Sequence, residues 1–180
     1  MDFRSRLAAE IPHLRRLARG LAGEAALADD LVEDCLERAL AKENFYDPAR
    51  QLRTWLYAIM RDSRVGELRR RSRAGLVKSV DDLAPEEGEA AGEQEDQAAV
   101  RSIAEALEQL PYFHREVILL VALEDMSYRE VAKIIGAPVG TVMSRLSRAR
   151  SALSARLGSK QQDCSRPVHS PLPKSRLTPP

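Results

Sequence analysis

Between residues 81 and 97 the chain reads DDLAPEEGEAAGEQEDQ: eight carboxylates, one proline, two glycines and a single apolar side chain larger than alanine. Such a stretch buries too little apolar surface to offset the entropy of ordering it. It therefore divides the 180 residues into two short blocks, each needing its own apolar core. Charge follows the same division. Fifteen basic residues stand against twelve acidic ones over 1–73, one against eight over 74–100, and eight against six over 101–157. The formal net charge of +1 conceals two mildly basic blocks around an acidic one, and it is the segregation that points to partners.

Both blocks read as helical. Leu7, Ile11, Leu14, Leu17, Ala18 and Leu21 recur at helical spacing, and Gly20 and Gly23 end the pattern. A second helix over about 26–42 carries Leu27, Leu31, Cys35, Leu36, Ala39 and Leu40 on one side and five carboxylates on the other. After the loop ENFYDPARQ, a third helix over about 52–71 holds Trp55, Leu56, Ile59, Met60 and Leu68, then turns strongly basic. Periodicity returns at Val100, Ile103, Leu107 and Leu110, stops at Pro111, and resumes in FHREVILLVALEDM. The last 23 residues contain five of the ten prolines and no periodic pattern, which predicts a disordered tail. The expected fold is all-α: two small helical bundles joined by a flexible acidic linker.

The stretch 127–157 is the most explicit. Ser127 with Glu130 three residues later is a capping box. Gly136 is placed to end that helix and Pro138 to restart the chain at the next. Val142, Leu146, Ala149 and Leu153 then face the first helix at i, i+4, i+7 and i+11. Two helices joined by so short a glycine turn describe a helix-turn-helix. Its outward face carries Thr141, Ser144, Arg145, Ser147 and Arg148. Small hydroxyl residues admit a close approach to a groove wall, and arginines reach phosphates or guanine edges. The face fits the DNA major groove. An ordinary solvated helix surface would look similar in isolation; the cap, turn and spacing together favour the groove.

Several classes are disfavoured. His13, His114 and His169 are scattered, and neither a nucleophile–base set nor a phosphate-cradling glycine loop is present, so an enzyme is not expected. Cys35 and Cys164 form no CxxC pair and lie near no clustered histidine. This predicts no metal, no cofactor, and a reducing cytoplasm. No apolar run approaches the roughly 20 residues of a membrane span.

The stretches ADDLVEDCLERAL (28–40), LRTWLYAIMRD (52–62) and LPYFHREVILLVALEDMSYREVAKIIGAPVGTVMSRLSRARSAL (110–153) together resemble the extracytoplasmic-function (ECF) bacterial sigma factors. IPHLRRLARGLAG at 11–23 additionally looks like the general-stress subgroup of alphaproteobacteria. The resemblance implies sigma region 2 over 1–73, an acidic linker over 74–99, sigma region 4 over 100–157 and a tail from 158. It implies partners: core RNA polymerase through its β′ and β subunits, promoter DNA, and an anti-sigma factor. Polymerase would be held by Asp29, Asp30, Glu33, Asp34 and Glu37, because phosphates would repel such a helix. The −10 element would be opened by Trp55, Arg61, Arg64, Arg69 and Arg70, with Phe45, Tyr46, Tyr57, Arg71 and Arg73 beside them, and the −35 element read by the outward face described above. A tryptophan placed like Trp55 more often packs in a core. The family often has Gln at position 33, Asn at 62 and a basic residue at 143, where this chain has Glu33, Asp62 and Met143. Asp62 adds repulsion near a melted strand, and Met143 removes a possible phosphate contact.

Two other readings stay open at this point. One is a sigma-like mimic that sequesters an anti-sigma factor without touching DNA. It would have no use for Arg145, Arg148 or the basic run at 69–73. The other is a plain helix-turn-helix repressor, which would not need the acidic helix. The linker is either a solvated spacer or a stand-in for a nucleic-acid strand inside the polymerase.

Overall fold

Asp2 starts the first helix by accepting from the Arg4 N–H at 3.4 Å, and Gly23, at φ 77°, ends it. In a computed structural model, residues 2–74 and 95–161 are described, with side chains assigned outside 95–99 and 159–161. The elements are α1 (Phe3–Ala22), α2 (Ala25–Ala41), a 3₁₀ turn (Glu43–Phe45), α3 (Leu52–Arg73), α4 (Glu95–Glu108), α5 (Tyr112–Ala122), α6 (Tyr128–Ile135) and α7 (Val139–Gln161). The fold is all-α, as the periodicity predicts.

Helices α1, α2 and α3 pack around Leu14, Leu17, Ala18, Leu31, Cys35, Leu56 and Met60. Helices α4 to α7 pack around Leu110, Val117, Leu120, Val131, Val142, Leu146 and Ala149. Cys35 is fully buried, and burial pushes its thiol up to about 12, so it acts as a small core residue rather than a reactive one. The capping box is formed as expected: the Ser127 side chain accepts from the Glu130 backbone N–H at 3.3 Å, and the Glu130 side chain from the Ser127 backbone N–H at 2.9 Å. Gly136 closes α6 in the left-handed region at φ 62°. Ser127→Ala is expected to lower global stability by about 1 kcal/mol, read as a shift of the urea midpoint at unchanged slope.

Two boundaries differ from the sequence reading. Helix α4 begins at Glu95, inside the stretch assigned to the linker, since acidic residues are favourable in a first helical turn. Helix α7 runs to Gln161, past the expected start of the tail at 158, because Ser, Lys and Gln continue a helix readily once it has formed. The rest of the linker and tail lie outside the described residues.

The two helix groups are packed face to face in one continuous core. Helix α1 lies on α5 and α4, and α3 lies on α6. Gly20 stands at the crossing, where a Cβ would lie 2.8 Å from Leu119 Cδ1. Glycine inside a helix costs about 1 kcal/mol relative to alanine, and here the missing side chain makes room for the crossing. Arg115, 2% exposed, ties three helix ends together. It donates to the carbonyls of Leu21 (3.2 Å), Glu108 (2.6 Å) and Leu110 (3.0 Å).

Candidate nucleic-acid interface

Helix α7 turns Val142, Leu146 and Ala149 inward against α5 and α6. That orientation leaves Ser144, Ser147, Arg148 and Arg150 exposed, with Thr141 half-buried. The Ser144 hydroxyl donates to the Thr141 carbonyl at 3.1 Å, so it offers lone pairs outward rather than a free proton. The Arg145 guanidinium lies over the Phe113 ring at 4.8 Å, a cation–π contact that holds it against α5. Of the predicted pair, Arg148 is the extended cation and Arg145 the anchored one. Met143 is exposed on one flank of the same face.

On α2, Asp29, Asp30, Glu33 and Glu37 are exposed, and Asp29, Glu33 and Glu37 form one row at i, i+4 and i+8. Asp34 differs. It accepts from Arg38 Nε at 2.8 Å. Burial would raise its carboxyl, but hydrogen bonds from Ser63 and Arg38 outweigh that and hold it below the ordinary range. Among the described residues, Asp29, Asp30, Glu33 and Glu37 therefore have no ion-pair partner, whereas Asp34 has one.

The residues expected at the −10 element separate into two sets. Arg69 and Arg70 are exposed. Trp55 is half-buried in an aromatic cluster, its ring 5.1 Å from Tyr46 and 6.4 Å from Phe3. Tyr46 donates to the Arg50 carbonyl at 2.7 Å and accepts from Arg6 at 3.0 Å. The cluster pins the 42–51 loop and presents Phe45, 83% exposed, at its tip. Arg64 is buried and donates to Glu67 at 2.7 Å. Arg61, 18% exposed, sits 3.1 Å from the Glu116 carboxylate of the other helix group. Trp55, Arg61 and Arg64 are thus engaged inside the chain rather than displayed.

The seam between the groups contains residues that the sequence reading missed. Glu124 is completely enclosed. Arg16 Nε donates to one of its oxygens at 2.7 Å, the Tyr57 hydroxyl donates to the other at 2.5 Å, and His13 Nδ1 lies 3.4 Å away. Burial would raise this carboxyl, yet the Arg16 and Tyr57 hydrogen bonds with the charges of Arg16 and His13 leave it below the ordinary range. Glu116 shows the opposite balance. Burial dominates the opposing Arg61 and Arg145 charges and the Tyr112 hydrogen bond, and its carboxyl is pushed up to about 7. The available signal was two carboxylates, Glu116 and Glu124, flanking the apolar run Val117–Leu123.

A raised carboxyl favours the protonated form in the packed chain. The packed chain therefore holds a proton that the unfolded chain releases near 4.5, and stability falls as pH rises from there to about 7, then levels off. Arg61 and Asp62 face this group from α3, Arg145 from α7 and Tyr112 from its own helix. The melting temperature is expected to decline between pH 5.5 and about 7, and Glu116→Gln to flatten that decline.

Residues 7–61 match the family model described as the Sigma2 domain of PhyR, and residues 101–153 match Sigma-70, region 4. The chain is 38% identical to the ECF RNA polymerase sigma factor EcfG of Rhodopseudomonas palustris, over 87% of its own length and 85% of the relative's. It is 36% identical to the ECF RNA polymerase sigma factor SigL of Mycobacterium tuberculosis, over 78% and 80%. Among solved structures it is similar to the sigma factor RpoE of Bartonella quintana, crystallised with the anti-sigma factor NepR. That match has a TM-score of 0.75 and 32% identity, covering 87% of this chain and 97% of that one.

Proposed function

The chain belongs to the ECF RNA polymerase sigma factors, and on that premise we propose how its surfaces divide the work of promoter-specific initiation. As a member of the family it binds RNA polymerase and promoter DNA. Asp29, Asp30, Glu33 and Glu37 on α2 take the polymerase, meeting a basic surface of the β′ subunit. The outward face of α7 enters the major groove at the −35 element, with Arg148 and Arg150 on phosphate or guanine edges and Ser147 and Thr141 close to the groove wall. Arg69 and Arg70 attract the −10 strand, and Phe45 offers a stacking surface for an unpaired base. The observation that carries this reading is the sorting of unencumbered charge: carboxylates on α2, guanidinium groups on α7.

The likeness to EcfG and to an anti-sigma-bound RpoE supports control by an anti-sigma factor in a stress response. Work beside polymerase supports a cytoplasmic location; among the described residues no helix is long and apolar enough to cross a membrane. A sigma-like mimic would share the packed seam but has no use for an exposed Arg148. The test is transcription of genomic DNA by purified chain and core polymerase, with all start sites mapped. A shared −35 and −10 pattern upstream of the starts is the expected outcome; starts no different from those of core polymerase alone would contradict the reading.

A further inference from the structure

The buried polar side-chain atoms that lack a hydrogen-bond partner among the described residues are Arg61 Nε, Arg64 Nε, Arg115 Nε and Glu116 Oε2. Two of them, Arg61 Nε and Glu116 Oε2, belong to residues that face each other where α3 meets α5 across the seam. Arg61 is near enough to Glu116 for attraction, at 3.1 Å, but misaligned for a hydrogen bond. A buried ion pair repays the loss of water only when its geometry is good and its remaining lone pairs are satisfied. This one is neither, so the pair opposes closure.

Two residues beyond the end of α5 the balance is reversed. Glu124 has both oxygens bonded, to Arg16 and Tyr57, with His13 alongside. Its three partners come from α1 and α3, so each of these bonds exists only while the two helix groups are together. The same seam hides Arg61 and Arg64, two cations suited to a strand phosphate. A carboxylate from α5 stands beside Arg61 where such a phosphate would bind.

We propose that Glu124 and Glu116 form a paired latch and spring: Glu124 holds the two helix groups closed, Glu116 strains them apart, and opening frees Arg61 for the −10 strand. The role of Arg61 rests on the sigma-factor reading above; the latch does not. Closed chain and bound strand compete for one guanidinium, so strand binding is a consequence of opening rather than of a separate switch. The signs of the two substitutions follow. Removing charge at position 116 strands little, because Arg61 at 18% side-chain exposure still reaches water whereas Glu116 at 2% does not. Removing charge at position 124 weakens every bond of the hub.

The experiment uses the purified full chain, with two readouts: radius of gyration by small-angle X-ray scattering, and anisotropy of a fluorescein-labelled single-stranded DNA of mixed sequence, about 12 nucleotides long. Glu124→Gln is expected to enlarge the radius and to strengthen strand binding roughly tenfold. Glu116→Gln is expected to keep the radius compact and weaken strand binding several-fold. Gly20→Leu, which wedges the crossing at Leu119 without touching a charge, should behave like Glu124→Gln and guards against a misfolded glutamine variant; Tyr57→Phe should give a smaller shift in the same direction. Adding Arg61→Ala to Glu124→Gln should remove most of the gain. Glutamine variants that shift the radius in the same direction, or a native chain already as expanded as Glu124→Gln, would overturn the latch. A gain that survives Arg61→Ala would overturn the assignment of Arg61 as the shared cation. Strand binding absent from every variant would count against the sigma-factor reading of this surface, while the radius would still decide the latch.

Discussion

Replacing Asp30 and Glu37 by lysine is expected to cut the affinity for core RNA polymerase by about a hundredfold, since each reversal removes an attraction and adds a repulsion at a protein interface. Both side chains are exposed on α2 and neither has an ion-pair partner among the described residues, so the fold should tolerate the change. That distinguishes them from Asp34, whose bond to Arg38 stabilises the helix itself. The same variant should bind an isolated −35 duplex as the native chain does, because the groove-facing Ser147 and Arg148 lie on α7 and both substitutions on α2. Competition against the native chain for core enzyme measures the first effect, and anisotropy on the duplex measures the second. Retained polymerase affinity would show that the acidic row serves another purpose.

Arg148→Ala is expected to weaken binding to the −35 duplex about tenfold or more, as for loss of one phosphate or base-edge contact. The logarithmic salt dependence should also flatten by about one unit if the contact is to phosphate, and sequence preference should relax at one position if it is to guanine. Arg145→Ala makes a useful contrast. Its guanidinium stacks on Phe113, so the loss should show in the melting temperature as well as in affinity, whereas Arg148→Ala should leave melting unchanged. Unchanged promoter affinity for Arg148→Ala would remove the central contact from the α7 face.

Local features were legible from the amino-acid sequence because they depend on residues a few positions apart. Ser127 and Glu130 announce their capping box, Gly136 its left-handed turn, and Val142, Leu146 and Ala149 the inward stripe of α7. The acidic row on α2 is a matter of period alone. What escaped was everything that joins distant positions. Glu124 meets Arg16 across 108 residues of chain and Tyr57 across 67, and no periodicity links such partners. For the same reason Arg61 reads as a free cation in sequence and is a half-buried one beside Glu116 in the fold. Trp55 could have served a core or a base; the neighbouring rings of Phe3 and Tyr46 place it in a cluster, and leave Phe45 as the displayed aromatic. The start of α4 at Glu95 escaped because composition over a long window outweighed the local preference of acidic residues for a first turn.

The sorting of charge into a protein-facing helix and a promoter-facing helix is tested most directly by titrating labelled core polymerase with the purified chain. Saturation at one chain per core enzyme, together with initiation at promoters that core polymerase alone ignores, is the predicted result. A chain that leaves core polymerase unbound yet captures an anti-sigma factor tightly would contradict it and identify a decoy instead.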